Sequence, residues 1–151
     1  MKKIITVTAA ILALSSPIYT YAMDHSGHEI GHKTTAAHEE VINGVKATFN
    51  IQTMVDAMKA MGMDMPKGVK DTHHISVNLK DAKTGKALTE GDVSIKVQNP
   101  DKSFQNRDLK GMHGHFGADF EFNKSGNYGI MCKFLLKDGQ TRQTKFWYAV
   151  K

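Results

Sequence analysis

The 151-residue chain carries one cysteine, Cys132. A lone thiol cannot close an internal disulfide, and the chain has no C-x-x-C pair, haem-attachment motif or cysteine-rich zinc site. Long apolar runs are equally scarce. The only one is Ile4–Leu14, about half of the ~20 residues that a spanning helix needs. No basic block occurs, because the lysines are scattered and interleaved with acids, and no stacking-aromatic pattern accompanies them. Nucleic acid is therefore not expected as a partner. The usual hydrolase and metalloprotease motifs, G-x-S-x-G and H-E-x-x-H, are absent, as are P-loop and Rossmann patterns, so no enzyme activity is expected. No His or Met follows Cys132, which argues against a blue-copper electron carrier.

The short apolar run has its own meaning. Lys2 and Lys3 precede it, Ser15-Ser16-Pro17 break it, and Thr20-Tyr21-Ala22 places small residues at −3 and −1 of a cleavage site. Residues 1–22 read as a signal peptide, which makes the protein periplasmic or secreted and not membrane-spanning. The net charge is +5, and losing two lysines with the signal leaves a mild +3. Residues 23–37 are polar, rich in His and Gly, and without hydrophobic period. They read as a disordered arm.

Residues 38–151 alternate with period two between turn residues. Val41-Ile42 and Val45–Ile51 flank Asn43-Gly44, a strong hairpin signal. Further strands are expected from Thr72 and at Val93–Val97, weakly at Phe104–Leu109, and then at Phe116–Phe122, Tyr128–Leu136 and Thr141–Val150. Met54, Met58 and Met61 recur at helical spacing over Thr53–Gly62. The expected fold is all-β: an Ig-like β-sandwich of seven or eight short antiparallel strands with one short Met-rich helix or loop. Cys132 alternates with Ile130 and Phe134, so it should be buried and inert.

Three short stretches carry a resemblance: His74-Ile75-Ser76-Val77-Asn78-Leu79, Gly91-Asp92-Val93-Ser94-Ile95, and Gly126-x-Tyr128-Gly129. Over a little more than half its length the chain resembles small exported Ig-like domains of the YtkA-like and copper-resistance CopC-like kind. The resemblance implies an exported sandwich in a metal-handling or respiratory-assembly setting. It transfers no ligand residue.

What the chain has in abundance is histidine and methionine. Cleavage after Ala22 would leave Met23-Asp24-His25 at the terminus, where the amine, two amides and an imidazole can wrap Cu(II) or Ni(II) in a square plane. His28, His32 and His38 follow nearby. Met54, Met58, Met61, Met63 and Met65 put five thioethers in twelve residues. Thioethers select Cu(I), although Met at helical spacing also serves as core filler, a role that suits Met63 and Met65 least. Adjacent strand residues point to opposite faces, so His73 and His74 should divide into one core-facing and one solvent-facing ring unless the strand frays. In Gly111-Met112-His113-Gly114-His115, an extended backbone would put His113 and His115 on one face as a clamp, with Met112 as a soft partner.

The expected function is an exported metal-binding protein, a copper chaperone, buffer or resistance factor. Copper, Cu(I) or Cu(II), is the expected ion, with other soft or borderline metals as substitutes and a metal-transfer protein as a further partner. The alternative is an assembly or interaction module of a membrane or respiratory complex with no metal role. If consecutive strands run up and down, Met61, Met63 and Met65 should lie near His73 and His74, with His113 and His115 in a separate patch. A segment Phe104–Leu109 that crosses between sheets without reversing would instead bring that patch to the Met end.

Overall fold

The computed structural model describes residues 36–151. The segment read as a signal peptide and most of the His-rich arm, with Met23, Asp24, His25 and His28, lie outside the described residues. Eight antiparallel strands follow in chain order: β1 (His38–Ile42), β2 (Val45–Thr53), β3 (His73–Asp81), β4 (Gly91–Gln98), β5 (Phe104–Met112), β6 (His115–Phe120), β7 (Gly126–Leu136) and β8 (Thr141–Val150). They are ordered β1-β2-β3-β6-β5-β4-β7-β8. Among the described residues a single short helix, α1 (Met54–Ala60), joins β2 to β3. No helix among the described residues is long and apolar enough to cross a membrane. The fold is the all-β sandwich expected from the alternation.

β5 explains how one continuous ladder becomes two layers. Phe104–Leu109 pairs with β4, whereas Lys110–Met112 pairs with β6. The first sheet is therefore β1-β2-β3-β6 with the end of β5, and the second is β4, β7 and β8 with its beginning. The weak sequence segment is a full strand, and it runs three residues further than its alternation suggested. At the far ends the layers meet again: the His38 ring stacks on Phe146 at 4.4 Å, and the Thr144 hydroxyl donates to the Glu40 carboxylate.

Between the layers lie the inward residues of every long strand. Phe49, Ile75, Val77, Val97, Phe120, Ile130 and Phe134 are fully buried. Cys132 shares this core at 1% exposure, and burial pushes its thiol up to about 12. Tyr128 reveals why the Gly126-x-Tyr128 stretch reads as a sandwich signature. Its hydroxyl donates to the Lys124 carbonyl at 2.9 Å and accepts from the Lys124 N–H at 3.1 Å, a tyrosine corner that fixes the start of β7.

The helix is capped by Thr53, whose Oγ1 accepts from the Asp56 N–H at 3.1 Å. It is shorter than the Met periodicity suggested. Met54 is in the core, Met58 is half-buried, and Met61 is 60% exposed, so only the first is core filler.

One buried cation ties the ends of two hairpins. Arg142 is 4% exposed; its Nη2 donates to the Asn43 carbonyl at 3.1 Å and to Asp138 Oδ2 at 2.6 Å. Those bonds link the β1–β2 turn to the β7–β8 turn across 99 residues of sequence. Replacing Arg142 by Ala removes charge-assisted bonds and orphans the Asn43 carbonyl. We expect a loss of about 2–3 kcal/mol in urea unfolding, with an unchanged denaturant slope.

Candidate metal centre

Outward-facing residues of the first sheet are those out of phase with the core: His74, Ser76 and Asn78 on β3, His115, Gly117 and Asp119 on β6, and Met112 on β5. Register brings them together. Ser76 lies opposite Gly117, His74 opposite Asp119, and Met112 opposite His115. The β5–β6 connection is a two-residue turn in which His113 (φ 44°) and Gly114 (φ 85°) are both left-handed. Asn43-Gly44 makes the same kind of turn with φ 45° and 78°. His113 is thus curled into the tip and not extended, so it does not form the expected two-residue clamp with His115. The cross-strand partner of His115 is Met112.

Gly117 is the floor of the arrangement. A Cβ there would stand 2.8 Å from His74 Nε2 and 3.0 Å from Met112 Cε. The missing side chain leaves a notch into which the imidazole enters from β3 and the thioether arm from β5. Behind His74, Asp119 Oδ1 lies 2.6 Å from Nδ1. A carboxylate accepts, so Nδ1 carries the proton, and it is the neutral form of the ring that would present an Nε2 lone pair to the notch. His115 borders the same notch. Burial holds its pKa below the ordinary histidine value, and the charges that His74 and His113 would carry add to the effect. A lowered pKa keeps the ring neutral near pH 7, the form that binds a metal.

This placement corrects the expected separation of the two groups. β6 does run antiparallel to β3, as up-and-down order requires. However, it is six residues long, and Phe116 pairs with Val77. The hairpin tip therefore stops beside the middle of β3, within reach of His74 over the open glycine. Gly117 and Asp119 belong to the candidate site, and motif reading missed them. Their signal was the outward phase of β6, which reads His-x-Gly-x-Asp.

The other expected donors lie on the inner face of β3, on β1 and on the connection from α1 to β3. His73 faces inward: Nδ1 is 2.8 Å from Thr72 Oγ1, the ring lies 4.9 Å from Phe122, and burial lowers its pKa. The pair divides into one core-facing and one outward ring. Met61 and Met63 are exposed, at 60% and 49%, on the connection from α1 to β3, and Met65 follows them half-buried. His38, stacked on Phe146, has Nε2 3.4 Å from Glu40 Oε2. Among the described residues no three His, Cys, Asp or Glu side chains converge to hold a metal by themselves. The notch adds what such a set lacks, a thioether, and two imidazoles with one thioether suit a soft or borderline cation.

No protein-family model and no curated protein matches the chain. Solved structures do. FetP from uropathogenic Escherichia coli aligns at 14% identity and TM-score 0.56, covering 76% of this chain and 93% of its own. A copper-bound variant of Campylobacter jejuni P19 aligns at 14% identity and TM-score 0.59, over 77% and 96%. A DUF4426 family protein from Pseudomonas aeruginosa aligns at 14% identity and TM-score 0.55, over 75% and 93%. At such identities the likeness is one of fold, and it agrees with the sandwich implied by the sequence resemblance.

His73 yields a pH test. The folded state resists protonating this ring while the unfolded chain does not. Its contribution is therefore flat above the unfolded pKa of about 6.5, and stability falls as pH drops below it. His73→Phe should reduce the acid-side loss of urea midpoint relative to wild type. Parallel midpoint curves for the two proteins would contradict this assignment.

Proposed function

We propose that this chain is an exported copper-binding protein, a carrier or buffer and not a catalyst, whose ion sits in the Gly117 notch. The observation that carries the reading is the approach of His74 Nε2 and Met112 Cε to one side-chain-free point. His74 and His115 would supply imidazole nitrogen and Met112 thioether sulfur. Asp119 would orient His74 from behind, as carboxylates do behind metal-ligating histidines. The copper-bound P19 variant, and a copper-bound FetP variant at 13% identity and TM-score 0.59, support copper as the ion for a sandwich of this shape.

The chemistry follows from the donors. Thioether is neutral and needs no deprotonation, so Met112 favours Cu(I), while the two imidazoles also accept Cu(II). Met112 is 40% exposed, which leaves the ion open to exchange with an incoming ligand. The exposed Met61 and Met63 offer a separate, softer landing place for Cu(I). The Met23-Asp24-His25 terminus, with His28, offers another for Cu(II) after signal cleavage. A purely structural interaction module would have no use for an outward histidine clamped by a carboxylate above an empty glycine.

Copper titration of the mature protein in a background of His25→Ala, Met61→Leu and Met63→Leu isolates the notch. His74→Ala, Met112→Leu and His115→Ala should each weaken Cu(I) binding about tenfold or more, and Asp119→Asn by roughly tenfold. Gly117→Val should do the same by filling the notch while thermal unfolding changes little, because the displaced atoms are far ends of side chains. Since the notch lies outside the core, a chelator should strip copper and leave the far-UV spectrum intact. Undiminished affinity in His74→Ala and Met112→Leu together would remove the site.

A further inference from the structure

The second sheet has an outer face with no role in the metal notch. Its register lines up residues from four strands. One row runs Phe104, Gln98, Gly129, Trp147, and the next runs Asn106, Lys96, Met131, Lys145, followed by Asp108, Ser94, Lys133, Gln143. A groove of about 720 Å³ crosses this face. Trp147 is 60% exposed and Phe104 50% exposed, at opposite margins of the sheet. The indole lies against Gly129, where a Cβ would stand 3.1 Å from the ring. Lys145 Nζ sits 4.9 Å from the Trp147 ring centroid and Lys96 Nζ 4.2 Å from that of Phe104. Among the described ion pairs none involves Lys96, Lys133 or Lys145. Asp92 and Asp108 are the carboxylates on the same face.

We propose that this face docks onto an anionic lipid surface. Aromatic rings beside lysines suit the boundary between headgroups and acyl chains, where each ring keeps an apolar body and each lysine stretches its stem toward phosphate. The outward cations of these rows are all lysine; Arg107, which also borders the groove, donates to the Asn106 carbonyl and lies 4.0 Å from Asp71. Lysine acts as a point charge and fits a diffuse field of headgroups, whereas specific carboxylate recognition favours the arginine fork. Lysine is also depleted in protein–protein interfaces, which weighs against a protein as the occupant. Sequence hides the face, because Lys96, Lys133 and Lys145 sit on three strands and only register assembles them. The docking does not depend on copper, since it uses the opposite side of the sandwich.

Trp147 is the only tryptophan in the chain, so its emission reports this face alone. The mature protein is titrated with vesicles of phosphatidylcholine, with and without phosphatidylglycerol. Phosphatidylglycerol should produce a blue shift and protect Trp147 from acrylamide, and the effect should fade as salt rises. The triple variant Lys96→Gln, Lys133→Gln, Lys145→Gln should need roughly tenfold more lipid or greater, at about fivefold per lysine near a charged surface. Lys46→Gln with Lys80→Gln, on the first sheet, should change nothing. If the triple variant does not fold, Lys145→Gln alone should still raise the requirement measurably. No shift with phosphatidylglycerol, equal binding by the triple variant, or binding to soluble polyglutamate but not to vesicles would each overturn the proposal. Cu(I) affinity, measured on the same samples, should be unaltered, which separates failure here from failure of the copper site.

Discussion

β5 hands its hydrogen bonds from β4 to β6 between Leu109 and Lys110. Two layers can be built from one antiparallel ladder only if some strand makes such a change, since a sheet of eight strands must bend to bury its apolar face. The handover sets how far the β5–β6 hairpin extends, hence where Met112 and His115 project, and hence which residue of β3 they meet. Had the hairpin been two residues longer, the tip would have passed the end of His74's reach. The notch is therefore a consequence of sheet closure and not a motif laid upon it.

The scaffold around this handover is locked at other points. The tyrosine corner fixes β7, Arg142 joins two turns, and no buried side-chain polar atom among the described residues lacks a partner. None of these devices touches the notch. A rigid frame with a separate, half-exposed donor group lets a ligand be exchanged without repacking the core. This would suit the proposed carrier, which must both hold an ion and give it up.

Much of the frame was legible in the chain because local chemistry dictates it. Asn43-Gly44 demands a left-handed pair and forms a two-residue hairpin, and Ile130-x-Cys132-x-Phe134 buries its thiol as its phase requires. β5 was faint because, of its nine residues, Leu109 alone is buried, so it has almost no hydrophobic phase to read. The candidate site was half legible. His74, Met112 and His115 stood out as donors, but their meeting depends on a contact between β3 and β6 spanning 45 positions and on the absence of a side chain at Gly117. Neither a long-range register nor an empty Cβ position leaves a local trace. The mistake over His113 has a similar root, since a His-x-His pair is a clamp only when both residues are extended, and the turn makes one of them left-handed.

The two outer faces differ in kind, and the difference follows from their strands. On the first sheet, Gly117 sits between the His74 imidazole and the Met112 thioether arm, with the Asp119 carboxylate behind His74. The result is a small pocket that, as the proposed copper site, would discriminate by ligand softness. On the second sheet, Gly129 sits under an indole, and lysines from β4, β7 and β8 flank it in a broad patch with no converging donors. A broad cationic patch has no geometry with which to select an ion, and a narrow notch has no area with which to hold a surface. In a sandwich the outer faces point away from each other, so whatever covers the lysine face leaves His74, Met112 and His115 turned toward solvent. An ion bound there would remain accessible to its next ligand while the opposite face is occupied.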